Sequence, residues 1–174
     1  MGRIVICTVD KDLAQCVRGD QVVLWDRRRD LVYDAAGVRA KWGVDPQSMP
    51  DYLALVGDSS DGYPGIPGFG AKTVAAVLAR YGHLEDVPVR GSAWDAPGIR
   101  NPVGLAQTLR DRLGEALLYR DLARLRTTAD GVPIPERNPD DLHWRGADPA
   151  AWPAFCDELG LPRLRSRPHL WRES

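Results

Sequence analysis

The sequence predicts an α/β fold, a small and mainly parallel sheet followed by a mostly helical region, and three observations carry that prediction. Ile4, Val5, Ile6, Cys7, Thr8 and Val9 form an unbroken run rich in β-branched residues that stops at Asp10-Lys11-Asp12. A continuous run of that kind reads as a strand covered on both faces, as in a parallel sheet. Residues 71–81 place Val74, Val77 and Leu78 at helical spacing and end at Gly82, a helix with its own terminator. Residues 103–126 repeat the helical pattern through Leu105, Leu109, Leu113, Ala116 and Leu117, with Gly114 as a candidate break.

The remaining elements follow in order. Residues 13–17 read as a short helix after the Asp10–Asp12 turn. Residues 21–25 and 31–33 are β-rich, and the polar Asp26-Arg27-Arg28-Arg29-Asp30 between them reads as a hairpin turn. Residues 35–42 form a helix closed by Gly43, and Asp45-Pro46 supplies a cap and a first-turn proline for a helix through residue 56. Residues 57–70 are the longest loop-like stretch of the first half, and residues 91–102 are a Gly/Pro-containing connector. Proline and tryptophan density rises after Thr128, residues 150–159 are one more amphipathic helix, and the last fifteen residues read as a basic tail. Three regions result, 1–45, 46–128 and 129–174.

Bulk composition narrows the function. With 174 residues, 44% hydrophobic and 27% charged, the chain suits a globular domain with a real core. No stretch approaches the roughly 18 apolar residues of a membrane span, so no membrane partner is expected. The first residues reach charge after about six apolar positions, too soon for a secretory signal. Cys7, Cys16 and Cys156 are unevenly spaced, which gives neither a disulfide framework nor a zinc pattern, and a reducing cytoplasmic setting is expected. Net charge is −1, yet residues 62–126 hold nine Lys/Arg against six Asp/Glu. A phosphate-binding surface needs local positive charge rather than a basic average.

The carboxylates are the first candidate site. Asp10 directly follows a strand, where the chain leaves a sheet and opens a crevice. Asp10 and Asp12 can aim at one point from the same turn, and Asp58 and Asp61 share a second loop at i, i+3 spacing. If the loops meet, four negative charges converge, and their repulsion calls for a hard cation such as Mg²⁺ or Mn²⁺. Two such ions about 4 Å apart are a known arrangement for phosphodiester hydrolysis. Loop aspartates also cap helices and stabilise turns, and Asp10 and Asp61 are both placed to do so.

The second candidate follows within a few residues. Pro64-Gly65-Ile66-Pro67-Gly68-Phe69-Gly70-Ala71-Lys72-Thr73 leads straight into a helix N-terminus, where free N–H groups and the positive dipole end favour an anion. Gly65, Gly68 and Gly70 let the backbone approach a ligand, Lys72 adds a charge and Thr73 a hydroxyl, while Ile66 and Phe69 are expected to pack inward. This is a helix-hairpin-helix-like clamp for a DNA phosphate, and its carbonyls are candidates to hold a monovalent cation such as K⁺. Such a clamp grips backbone without reading bases. An ordinary chain turn has the same composition. A mononucleotide loop is disfavoured, because no G-x-x-x-x-G-K-[ST] element is present and the preceding segment reads as helix.

Thr8-Val9-Asp10-Lys11-Asp12-Leu13 together with residues 51–73, DYLALVGDSSDGYPGIPGFGAKT, closely resembles the bacterial 5′-3′ exonucleases. These are relatives of the 5′-nuclease domain of DNA polymerase I and of flap endonucleases. The resemblance is specific over residues 3–86 and looser through Tyr119-Arg120-Asp121-Leu122-Ala123-Arg124-Leu125-Arg126-Thr127, and it stops short of the last forty-odd residues. It implies a fold made of the remnant of a parallel-sheet, PIN-like nuclease core followed by a helix-3-turn-helix DNA-binding domain. It implies metal ligation by Asp10, Asp12, Asp58 and Asp61, and duplex binding by Gly65, Gly68, Phe69, Gly70, Lys72 and Thr73. Gly62 departs from the pattern, where asparagine is frequent.

The resemblance further implies that an N-terminal half should precede the Asp10–Asp12 turn, carrying more carboxylates and an arch for a 5′ single strand. Met1 lies only nine residues before that turn, so residues 4–9 are expected to lack sheet neighbours and the chain to be N-terminally truncated. A separate chain is a candidate source of the other half. The expected substrate is DNA, a duplex with a 5′ end or 5′ flap, cleaved with two Mg²⁺ or Mn²⁺ ions in the complete site. The alternative is a non-catalytic module that grips duplex through the hairpin and Arg110, Arg112, Arg120 and Arg124.

Overall fold

A computed structural model describes residues 2–127, 130–133 and 138–173. The chain divides into two compact units, Met1–Leu125 and Arg126–Ser174. The first opens with a three-stranded sheet in the order β1-β2-β3, formed by β1 (Ile4–Cys7), β2 (Val22–Asp26) and β3 (Leu31–Tyr33). β1 runs parallel to β2 with Ile4 opposite Val22, and β3 returns antiparallel with Tyr33 opposite Leu24. A parallel pair needs a crossover rather than a hairpin. Here the crossover contains a 3₁₀ turn, Asp12–Cys16, whose Ala14 is buried. Asp26 closes the β2–β3 hairpin by accepting from the Arg28 and Arg29 amides (3.0 and 3.2 Å) and the Arg29 guanidinium (2.9 Å).

The expectation that residues 4–9 are covered on both faces is not met. Ile4 is 59% and Val5 48% exposed, and the strand ends at Cys7. The physical reason is position. β1 is an edge strand with one partner, β2; Ile6 packs half-buried against the core, while Ile4 and Val5 are left to solvent. The further expectation that it lacks any sheet neighbour is corrected by the same pairing.

Among the described residues six α-helices follow. α1 (Ala35–Trp42) is capped by Asp34, which accepts from the Gly37 amide at 2.7 Å, and stops at left-handed Gly43. α2 (Met49–Val56) is buried from Met49 to Leu55, as an all-round apolar helix must be. It packs against α3 (Ala71–Tyr81), α5 (Leu113–Ala123) and the 12–16 turn. Asp45 opens a 3₁₀ turn, Pro46–Ser48, rather than α2 itself, and its carboxylate pairs with Arg39 instead of capping. The predicted 103–126 helix is two helices, α4 (Pro102–Asp111) and α5, with the break at Arg112 (φ −117°, ψ 21°) rather than at Gly114. The second unit contains α6 (Ala151–Glu158).

One buried charge ties the helices together. Asp51 on α2, only 2% exposed, faces the Arg120 guanidinium of α5 at 3.1 Å and His83 Nδ1 at 2.9 Å. Arg120 also pairs with Glu85 at 2.6 Å. Removing Asp51 takes one of two carboxylates from Arg120 and the partner of His83, and truncating one member of a buried charge pair costs up to about 3 kcal/mol. Asp51→Ala is expected to lower unfolding free energy by about that amount in equilibrium urea denaturation, and a change below about 1 kcal/mol would show the network to be incidental.

Candidate metal centre

The two acidic loops meet. Carboxylate oxygens of Asp12, Asp58 and Asp61 all lie within 4.8 Å of one another. Asp12 reaches the site from the 3₁₀ turn after β1, and Asp58 and Asp61 from the loop after α2. Asp58 is held by a short antiparallel bridge, its amide donating to the Tyr63 carbonyl (2.9 Å) and the Tyr63 amide to its own (3.1 Å). Asp10 is not part of the three-way cluster. Its carboxylate accepts from the Asp12 amide at 3.0 Å, the capping role that short loops give to aspartate. It nevertheless lines the same open cleft of about 440 Å³ with Lys11, Trp42, Asp58, Ser60 and Asp61.

Electrostatics in the cluster are lopsided. Burial, followed by the charges of Asp10 and Asp61, pushes the Asp12 carboxyl up to about 6. Burial also raises Asp58, but the Lys11 ammonium and the Ser60 and Asp61 amides overcome it and hold that carboxyl below the ordinary range. Lys11 pairs directly with Asp58. Its ammonium stands where a cation is wanted, and sequence reasoning gave it no part. The signal was its position between two candidate ligands. Tyr63 was also missed: its phenol is buried, stacked on Tyr119 at 5.6 Å, and raised by burial and the surrounding aspartates.

The donor set suits a hard divalent cation. All of its ligands are carboxylate oxygens. Asp12 Oδ1 is buried with no hydrogen-bond partner among the described residues, a costly state that a cation would relieve. Asp12, Asp58 and Asp61 are therefore the residues that would hold it.

The glycine hairpin adjoins this cluster, and the structure separates its residues into two groups. Gly65 and Phe69 are buried, Phe69 against Trp94 at 6.5 Å between ring centroids. Gly65 (φ +74°) lies against α2 so closely that a Cβ there would meet the Gly57 nitrogen at 2.5 Å, and the Ile66 amide donates to the Leu55 carbonyl at 2.8 Å. Its glycine is required by packing on α2 rather than by approach to a ligand. Gly68, Gly70 and Lys72 are exposed and Thr73 half-buried at the start of α3, whose first turn has no side-chain cap. Those are the residues on which an incoming phosphate could land.

The arginines expected to grip DNA are largely engaged elsewhere. Arg120 serves Asp51 and Glu85, Arg112 pairs with Glu115 at 3.1 Å, and Arg110 donates to the Val89 carbonyl. Arg124 also has an interaction of its own.

Comparison with known proteins follows from this geometry. Residues 44–150 match the family described as "5'-3' exonuclease, C-terminal SAM fold". The chain is 40% identical to a DNA polymerase I of Rhizobium leguminosarum over 124 residues, which is 71% of this chain and 12% of that protein. It is 41% identical to a 5′-3′ exonuclease of Streptomyces coelicolor over 168 residues, 92% of this chain and 52% of the relative. The chain thus spans about half or less of the length of these relatives. Among solved structures it is similar to the T5 5′-exonuclease with bound zinc, with a TM-score of 0.53 and 20% identity over 70% of this chain and 44% of that one. It is likewise similar, at a TM-score of 0.53 and 19% identity, to a bacteriophage T5 flap endonuclease in a pseudo-enzyme-product complex with DNA and metal ions. At that identity the likeness is one of fold.

The raised Asp12 carboxyl has a consequence for stability. Its folded value near 6 exceeds the unfolded value of about 3.9, so the folded state binds the proton more tightly. The stabilisation is fully present below about pH 4 and is lost as pH rises through about 6. In metal-free buffer near neutral pH, Asp12→Asn is expected to melt a few degrees above the parent, with the gap closing toward pH 4. Equal melting temperatures across that range would overturn this account of the cluster.

Proposed function

Because the chain belongs to the 5′-3′ exonuclease family, we propose that it is a structure-specific 5′-nuclease module acting on DNA with a 5′ end or 5′ flap. The observation that carries the reading is the convergence of Asp12, Asp58 and Asp61 within 4.8 Å, a few residues before an uncapped, exposed helix start. A divalent cation, Mg²⁺ or Mn²⁺, would supply the activated water and the stabilisation of the leaving oxygen. Asp12, Asp58 and Asp61 hold that cation, with Asp10 lining the same cleft as the candidate second position of a two-ion site. The amides at the start of α3 and the Lys72 ammonium hold a duplex phosphate and fix its distance from the carboxylates. The loop carbonyls between Gly65 and Gly70 are candidates for K⁺. Lys11 keeps Asp58 ionised and limits repulsion in the cluster.

A second reading has its own observation. Three carboxylates converge rather than four, and Asp10 is engaged with a backbone amide. A chain with this ligand set could grip duplex without cutting it. The open outer edge of β1, with Ile4 and Val5 exposed, is the place where a further strand and its carboxylates would join, from a longer form of this polypeptide or from a separate chain.

Cleavage of a 5′-flapped duplex in Mg²⁺ separates the two readings. Asp58→Asn is expected to reduce cleavage by more than the roughly 10- to 100-fold typical of changes one shell out from a metal, while duplex affinity in Ca²⁺ is retained. Duplex binding with steep salt dependence and no Mg²⁺-dependent cleavage would establish the binding module instead. Lys72→Ala is expected to weaken duplex binding uniformly across sequences and reduce the salt slope by about 1. An unchanged slope would remove Lys72 from the phosphate contact.

A further inference from the structure

The second unit contains a cleft that none of the chemistry above uses. We propose that it is a stacking site for an unpaired base of single-stranded DNA. The proposal rests on DNA being the substrate, as argued above, but on different residues.

Trp144, Trp152 and Phe155 line an open cleft of about 440 Å³ together with Gly146, Ala147 and Arg172. Large aromatic rings in a small domain normally go to its core. Here Trp144 is 61% and Phe155 49% exposed, and both line the one cleft. Trp152 is the fixed member. Its indole N–H donates to the Leu164 carbonyl at 3.0 Å, and its ring lies 6.0 Å from that of Phe155. The opposite wall is fixed by a short parallel bridge in which the Ala147 amide donates to the Leu170 carbonyl (2.9 Å) and the Arg172 amide to the Ala147 carbonyl (2.8 Å). The rings therefore sit on a braced frame, which lowers the cost of ordering them around a ligand.

Size and charge select the occupant. A volume of about 440 Å³ fits one small planar group. A stable dimer would need to bury about 1,200 Å² or more, far beyond this cleft. Acidic charge on its wall is offset, since Asp148 accepts from the Ala150 and Ala151 amides (both 2.9 Å) and pairs with Arg172. Arg145, next to Trp144, makes no ion pair among the described residues. Exposed rings in a cleft whose one lining carboxylate is neutralised by Arg172, with Arg145 adjacent to Trp144 in sequence, are the chemistry of a base stacked on an aromatic face. Every base has such a face, so the site tolerates any sequence and rejects paired bases, whose faces are covered.

The test uses the full chain and a fluorescent oligothymidylate followed by anisotropy. Trp144→Ala is expected to weaken its binding about 10-fold or more while leaving affinity for a blunt duplex unchanged. Trp144→Phe, which keeps a ring, should restore most of the binding. An abasic oligonucleotide of the same length should bind the parent as weakly as oligothymidylate binds Trp144→Ala. Equal affinity of the parent for the abasic and base-bearing strands overturns the proposal, as does an unchanged affinity in both Trp144→Ala and Phe155→Ala. A parent that is dimeric by light scattering, and a Trp144→Ala that is monomeric, would assign the cleft to self-association instead. Loss of cleavage in Asp58→Asn leaves this result untouched, so the two readings fail separately.

Discussion

The backbone of Gly65 crosses the C-terminal end of α2 at a separation that leaves no room for a Cβ on either side. A side-chain carbon on Gly65 would meet the Gly57 nitrogen at 2.5 Å, and one on Gly57 would meet the Pro64 carbonyl carbon at 2.5 Å. Both glycines also have positive φ, +88° and +74°, which other residues rarely adopt. This crossing pins the loop carrying Asp58 and Asp61 at both of its ends. It also sets where α3 begins, six residues further on. The acidic loop and the exposed, uncapped start of α3 are thus two ends of one clamped segment.

What the clamp positions is electrostatically unfavourable by itself. Three carboxylates within 4.8 Å repel one another, and the structure accommodates them by giving Asp58 a lysine and by leaving Asp12 with a carboxyl near 6. A stable protein tolerates such a cluster only when the surrounding packing over-determines it. That packing is α2, buried from Met49 to Leu55 and packed against α3, α5 and the 12–16 turn. Asp51, Arg120 and His83 then hold α5 and the end of α3 to it. Burial and like charge work against the ionised form of Asp12, whereas Asp51 is buried among opposite charges.

Much of this was legible in the residues. α1 and α3 match their predicted limits because each ends at a glycine, and α3 has apolar residues at helical spacing besides. The two acidic loops were each visible as candidate ligand pairs, and the chemistry followed on the condition that they meet, since converging carboxylates repel and a shared cation resolves the repulsion. Other readings missed for identifiable reasons. A β-branched run says that a strand forms but not whether anything covers it, so exposed Ile4 and Val5 were expected to be buried. An arginine-rich helix looks like a phosphate surface until its partners are known, and Arg120 turned out to face Asp51 sixty-nine residues away. The packing demand on Gly65, where a Cβ would meet the Gly57 nitrogen at 2.5 Å, was not legible in the sequence either.

The division follows range of interaction. Local periodicity, caps and glycine stops act within a few residues, so the sequence by itself determined the α/β class, most helix limits, the two acidic loops and the exposed helix start. Whether those loops meet, which carboxylate is left out, that Lys11 neutralises Asp58, and where the arginines point all depend on residues brought together across tens of positions. Only tertiary packing could decide them, because burial and neighbouring charge, not residue type, set the behaviour of Asp10, Asp12, Asp58 and Asp61.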